Sequence, residues 1–309
     1  MGRPLCILGP TASGKSNVAM AVAEERGDVE LVSIDSMQVY REMDIGTAKP
    51  TLAEQATVKH HLINIADPAD GFAVPHFQTA WREVERDMRE RSKVPVLVGG
   101  TGLYLRSVID NLEIPEQFPE VRAALEQRLD DLPELFVELS ALDPLAASRV
   151  DPNNERRVVR ALEVCLGSGR PFSSFGPGMI EYPATNFSLL GLRLNGDEVD
   201  RRIDARYEAQ MVDGFLDEVT TLAERERGIG RTARQALGYR ELLRHVEDGE
   251  SLDVVLNDAK IRTHRFARRQ MKWFRRDPRI EWIDIDETGS IEHAAAIHRA
   301  IELAHQGAE

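Results

Sequence analysis

Residues 9–16 read Gly-Pro-Thr-Ala-Ser-Gly-Lys-Ser, after the apolar run Leu5-Cys6-Ile7-Leu8 and before a helix-compatible run from Asn17 to Arg26. Strand, glycine-rich turn and helix, with G-x-x-x-x-G-K-[ST] spacing, form the arrangement that cradles a phosphate. Each residue type has a physical task. Gly9 and Gly14 let the chain curl so that backbone N–H groups of Thr11, Ala12 and Ser13 converge on an anion. A helix starting near Lys15 adds the positive end of its dipole. Lys15 brings a charge to the terminal phosphate and Ser16 a hydroxyl to a magnesium ion. The same glycines would serve an ordinary tight turn, but the strand and helix on either side favour phosphate binding.

A loop of this kind demands further parallel strands, and the chain supplies them. Glu30-Leu31-Val32-Ser33-Ile34 ends at Asp35, followed by Ser36-Met37-Gln38-Val39-Tyr40. Ligands of open α/β sheets bind beyond the carboxyl ends of strands, so Asp35 either enters the crevice of the phosphate loop or caps the next turn. Leu62–Ile65 reads as a third short strand and 75–92 as an amphipathic helix. Val94–Val98 is a fourth strand running into Gly99-Gly100-Thr101-Gly102. Most nucleotide hydrolases end such a strand in an acid that holds magnesium. None stands here, which speaks against ordinary ATP hydrolysis. The alternation of strands and helices predicts an α/β fold with a parallel sheet covered on both faces.

Beyond residue 110 the pattern changes. Residues 111–187 carry little strand signal, read as helical over 121–130 and 154–166, and are broken at Gly167–Pro171 and Phe175–Gly178. The expected organisation is a core of residues 1–110 and 188–309 with a helical insertion of residues 111–187. Leu189–Leu194 returns to strand. Helices follow over 198–227, 232–245 and 252–276, the last with Ser251 as its cap. A strand over 280–285 and a helix over 291–305 close the chain.

Net charge is −13, which taken alone disfavours a nucleic-acid partner, but its distribution is uneven. Between Lys260 and Arg276 there are eight Lys or Arg residues and no acid. Arg262, Arg265, Arg269, Lys272 and Arg276 recur at helical spacing and share one face. That face is either solvated and paired with acids from elsewhere or a track for a polyanion, and the lack of interspersed acids favours the track. No apolar run reaches membrane-span length and no signal-peptide pattern opens the chain. Cys6 and Cys165 lie far apart in apolar patterns and read as buried thiols, so a cytoplasmic protein without a membrane partner is expected. His60 and His61 are adjacent and cannot share a helix face, so no zinc site is expected there.

The phosphate loop, Asp35–Tyr40, Asp44-Ile45-Gly46-Thr47-Ala48-Lys49-Pro50, Gly99–Tyr104, Arg157–Glu163 and Arg268–Arg275 together resemble, in order, the tRNA dimethylallyltransferases, most closely the bacterial form. The resemblance implies a P-loop NTPase-like sheet with a helical insertion that grips the anticodon stem-loop. It implies transfer of a dimethylallyl group from dimethylallyl diphosphate to N6 of adenosine 37 in tRNA, with magnesium, by an enzyme expected to act as a monomer. On that resemblance residues 9–16 hold the diphosphate, with Arg240 a further contact. Asp35 is the base, and Thr101 steadies the oxygen between C1 and the diphosphate. Ser36, Met37 and Gln38, beside Asp35 and Thr101, meet the flipped-out base. Arg156, Arg157, Val158, Val159 and Arg160 meet RNA, as do Arg265, Arg269 and Lys272. Arg156 departs from the family, which often has Gln there. Three rivals stay open. An adenylate isopentenyltransferase would need neither insertion nor basic helix. A small-molecule kinase would want the missing strand-end acid. A non-catalytic RNA-binding protein would not need Asp35 and Thr101 beside the phosphate loop.

Overall fold

The phosphate-loop strand lies inside the sheet, flanked on both sides. A computed structural model describes residues 2–176, 181–285 and 291–305. The chain divides into two compact units, residues 1–105 with 184–309, and residues 106–183. In the first, β1 (Leu5–Leu8), β2 (Val29–Ser33), β3 (His60–His61) and β4 (Val94–Gly99) alternate with α1 (Lys15–Arg26), α2 (Leu52–Thr57) and α3 (Val74–Glu90), and α4 (Gly102–Ile109) follows β4. After the second unit, with α5 (Pro119–Glu126), α6 (Leu132–Leu142), α7 (Pro144–Ala147) and α8 (Glu155–Ser168), come β5 (Ser188–Arg193), α9 (Gly196–Val212), α10 (Phe215–Ala223), α11 (Tyr239–Asp248), α12 (Leu252–Phe274), β6 (Glu281–Asp284) and α13 (Ile291–His305).

The six strands are parallel, in the order β3-β2-β4-β1-β5-β6. The chain passes from β1 to β2 over the position that β4 later fills. A crevice therefore opens at the carboxyl ends of β1, β2 and β4. Leu8 lies opposite Gly99, and Ser33 opposite Val98. The loops after these three strands thus begin side by side. All residues of β1 and β2 are buried, as a parallel sheet covered by helices requires.

Several local expectations give way to backbone geometry. The third strand is His60–His61, not 62–65: Leu62 and Asn64 have φ of 60° and 57°, which end the ladder. The long helix expected over 198–227 is two helices, broken where Gly214 takes φ 97°. The stretch 232–245 is a single 3₁₀ turn and then α11, parted at Gly238 (φ 82°). Ser251 stands at the N-cap of α12 but makes no capping hydrogen bond.

At the opposite end of β2 a buried ion network ties the sheet edge together. Glu30 accepts two hydrogen bonds from Arg91, at 2.5 and 2.7 Å, and shares one of 2.6 Å with His61 Nε2. Burial opposes its ionisation, but the bonds from Arg91 and His61 outweigh that and hold the carboxyl at about 2. The network's contribution is complete above the ordinary glutamate value and is lost as pH falls through about 2. Glu30→Ala should destabilise the protein by about 3 kcal/mol, the low end for a broken buried pair because Arg91 is partly exposed. Urea unfolding at pH 7 and pH 3 reads this, with the larger difference at pH 7.

The second unit is built of helices around Leu125, Leu135, Leu139, Val158, Leu162 and Cys165. Asn154 caps α8 by accepting from Arg157 N, and the helix ends at Gly169 with φ 67°. The unit begins and ends a few residues before the boundaries read from the sequence. Pro177 and Gly178, part of an expected joint, lie outside the described residues. Cys6 and Cys165 are both buried, as expected.

Candidate active site

A cavity of about 530 Å³ occupies the crevice of the first unit. It is lined by residues 11–17, 35–38, 46–50 and 98–101, with Arg206, Tyr207, Arg262, Phe266, Arg269 and Gln270 on the helical side. The phosphate loop is shaped as its sequence requires. Gly9 has φ 152°, and a Cβ there would lie 2.8 Å from Leu192 O. Gly14, with φ 85°, caps α1. Ala12 also adopts positive φ (63°), a conformation that strains an L-residue and that clusters at ligand-binding loops.

Besides exposed Arg269, two cations reach this cavity without a carboxylate partner among the described residues. Lys15 Nζ donates to Pro10 O (2.6 Å) and Ser13 Oγ (3.4 Å). Burial, reinforced by nearby Arg206 and only partly offset by Asp35, pushes its pKa down to about 8. Arg206 Nη1 donates to Thr11 Oγ1 (2.8 Å), while its Nε is buried with no partner. Burial also works against the charge on Arg206, although a guanidinium does not deprotonate in proteins. The site therefore holds two partly desolvated positive charges that an anion would satisfy.

Two carboxylates line the cavity; Glu54 is committed to Thr51 N and Oγ1 at the start of α2, which leaves Asp35. Asp35 follows β2, and its Oδ1 accepts from Met37 N (2.8 Å) and weakly from Gln38 N (3.4 Å). Its Oδ2 has no hydrogen-bond partner among the described residues. Thr101 follows β4; its Oγ1 accepts from Ser36 N (3.2 Å), leaving the hydroxyl proton free to donate. The expected neighbours of Asp35 and Thr101 are thus assembled. Ser36, Met37 and Gln38 line the same cavity. Gln38, however, has its amide engaged: Oε1 accepts from Ser33 Oγ, and Nε2 donates to Thr47 O and Ala48 O. It pins the 44–50 loop. Glu218 braces that loop from outside by accepting from the N–H groups of Asp44, Ile45 and Gly46.

The comparisons with known proteins bear on this arrangement. The family model described as IPP transferase matches residues 38–277. The chain belongs to that family. A tRNA dimethylallyltransferase of Bifidobacterium longum subspecies infantis is 43% identical over 301 residues, covering 96% of this chain and 90% of its own. One from Corynebacterium diphtheriae is 40% identical, covering 91% and 93%. Among solved structures, the tRNA isopentenylpyrophosphate transferase of Bacillus halodurans is 34% identical with a TM-score of 0.67, covering 99% of this chain and all of that one. A eukaryotic dimethylallyltransferase acting on tRNA is 25% identical with a TM-score of 0.80, covering 97% and 78%. As an IPP transferase family member the chain is a transferase, and its parallel sheet with helices on both faces is the P-loop NTPase-like fold.

In this family member some residues singled out in the sequence stand elsewhere than expected. Arg240 is exposed and does not line the cavity. Arg206 does line it, from a helix with no motif to mark it. Val158 and Val159 are buried at 0% and 2% exposure in the second unit's core, so their side chains cannot meet RNA. Arg160 is an internal staple, donating to Pro115 O, Glu116 O and Glu163. Arg156 and Arg157 are exposed in the first turn of α8. On α12, Arg262 is held by buried Glu241 (2.6 Å) and Arg268 by Asp200 (2.5 Å). Arg265, Arg269 and Lys272 are exposed with no carboxylate partner among the described residues. The five-cation face is therefore narrower than its spacing suggests.

Proposed function

We propose that the chain transfers a dimethylallyl group from dimethylallyl diphosphate to N6 of adenosine 37 in tRNA, forming N6-dimethylallyladenosine and diphosphate. The observation that carries this is one cavity holding two partly desolvated cations, Lys15 and Arg206, with no carboxylate partner among the described residues, together with a carboxylate oxygen and a hydroxyl proton left open, and no acid at the end of β4. The phosphate-loop amides, Lys15 and Arg206 take the diphosphate. Thr101 donates to the oxygen joining it to C1. The N6 lone pair attacks C1, the C1–O bond breaks toward the diphosphate, and Asp35 Oδ2 accepts the N6 proton. The negative charge that grows on the leaving group meets fixed positive charge, which lowers the barrier without reorganising solvent.

The Ser16 hydroxyl is a hard oxygen that lines the cavity and suits magnesium, which keeps several waters and binds phosphate oxygens. Ser16, exposed at the start of α1, would hold it, and its chemistry is to neutralise the departing diphosphate. The adenine must leave its stack to reach Asp35, with Ser36 and Met37 beside it. The tRNA backbone lies along Arg265, Arg269 and Lys272, and the second unit offers Arg156 and Arg157. We expect the enzyme to act as a monomer. Among the described residues no helix is long and apolar enough to cross a membrane, and we place the reaction in the cytoplasm, where tRNA is modified.

The test is direct. Purified protein, magnesium, dimethylallyl diphosphate and unmodified tRNA, without ATP, should give N6-dimethylallyladenosine by mass spectrometry of the digested RNA. Prenylation of free AMP but not of tRNA would overturn the acceptor, and tRNA binding without any product would overturn the reaction. For the basic helix, Arg265→Ala or Lys272→Ala should weaken tRNA binding about equally for all sequences and reduce the slope of log K against log salt by about 0.7–0.9 each. An unchanged slope in both variants would remove α12 from the RNA track.

A further inference from the structure

The buried seam of α12 is Val255, Ala259, Thr263, Ala267, Gln270 and Phe274. Thr263 donates back to Ala259 O and pairs with Tyr207. Gln270 is the one residue of this seam whose polar partners are two loops of the cavity. Its Oε1 accepts from Thr11 N (2.9 Å), in the phosphate loop, and its Nε2 donates to Gly100 O (3.0 Å), one residue before Thr101. It is 8% exposed. The turn after β4 is moulded onto this helix: a Cβ at Gly100 would collide with Gln270 Nε2, and one at Gly102 with the Trp273 ring.

A primary amide is the side chain that presents an acceptor and a donor side by side at this length. A carboxylate would meet Thr11 N–H equally well but would set an oxygen against Gly100 O. We propose that Gln270 is a positioning residue for prenyl transfer, fixing the separation between the phosphate loop and Thr101. A diphosphate held by the loop then lies against the Thr101 hydroxyl. This inference rests on the function proposed above and adds to it a role carried by no contact with substrate. The same helix presents Arg265, Arg269 and Lys272 on its exposed side, so one rigid element joins the RNA track to the donor site.

Gln270→Ala should lower the single-turnover rate at saturating donor by about 10- to 100-fold, the scale of a sub-ångström to ångström misplacement. Its tRNA affinity and salt slope should stay within about twofold, because the RNA-facing cations are intact. Gln270→Glu supplies a readout that loss of stability does not move. As a carboxylate it should be as slow as the alanine variant. Once protonated, its O–H replaces the amide donor, so its rate relative to the unsubstituted protein should rise as pH falls; burial beside Gly100 O raises the pH at which this happens. A Gln270→Ala rate within threefold of the unsubstituted protein overturns the inference, as does a Gln270→Glu to unsubstituted ratio that is flat with pH. If the unsubstituted protein itself makes no prenylated tRNA, the function fails instead, which separates the two.

Discussion

Asp35→Asn should lower the single-turnover rate of dimethylallyl transfer by about 10²–10⁴-fold, the range that a positioned general base supplies. Asparagine is the sharper probe than alanine. Its Oδ1 can still accept from Met37 N, as the carboxylate does at 2.8 Å, so the turn carrying Ser36 and Met37 is kept. What is lost is the basicity of Oδ2. The acceptor nitrogen shares its lone pair with the purine ring and becomes nucleophilic as its proton departs, so the base acts in the bond-forming step itself. The loss should therefore appear in rapid-quench single turnovers at saturating donor, while the tRNA dissociation constant stays within about twofold. A normal rate with normal tRNA affinity would leave Asp35 as a turn-former and no more.

How much of this was legible before the structure depends on how local each signal is. The phosphate loop, Asp35 and Thr101 each sit in the few residues after a strand, so strand pattern and loop composition together place them in one crevice. Arg206 and Gln270 reach that crevice from helices 195 and 259 residues away from Thr11 in sequence. Arg206 stands in a polar helix with Arg201 and Arg202, and only packing separates the arginine turned inward from its neighbours. Arg160 is different, because its partner Glu163 stands three residues on, a helical pair visible in the sequence. The strand expected over 62–65 failed because apolar alternation does not report the left-handed backbone of Leu62 and Asn64. Likewise the break at Gly214 divides what its polar composition presented as one helix.

Arg206→Met should reduce single-turnover transfer by about 10²–10³-fold, comparable to removing one preorganised donor from a site of developing negative charge. The same substitution should leave the unliganded protein as stable or more stable, by up to about 1–4 kcal/mol, because it replaces a desolvated charge with an apolar side chain of similar length. That opposition of signs is what a donor-site cation predicts and a structural arginine does not. Buried Arg206 Nε has no partner to lose, and Thr11 Oγ1 keeps access to water or ligand. Lys15 makes the same case through pH. With its pKa near 8 in the unliganded site, it is charged at pH 7, and a bound diphosphate would raise that value further. Donor affinity should then be flat below about pH 8 and fall with pH above it, since binding must bring a proton with it. The donor's own phosphates, with a last ionisation near 6, have finished titrating by then. In Lys15→Arg the fall between pH 8 and 9.5 should vanish, whatever the affinity that remains. Isothermal titration of the donor in buffers of different ionisation enthalpy reads the proton uptake directly. Zero uptake at pH 8.5, or an Arg206→Met variant that loses stability along with activity, would move the diphosphate away from these two cations.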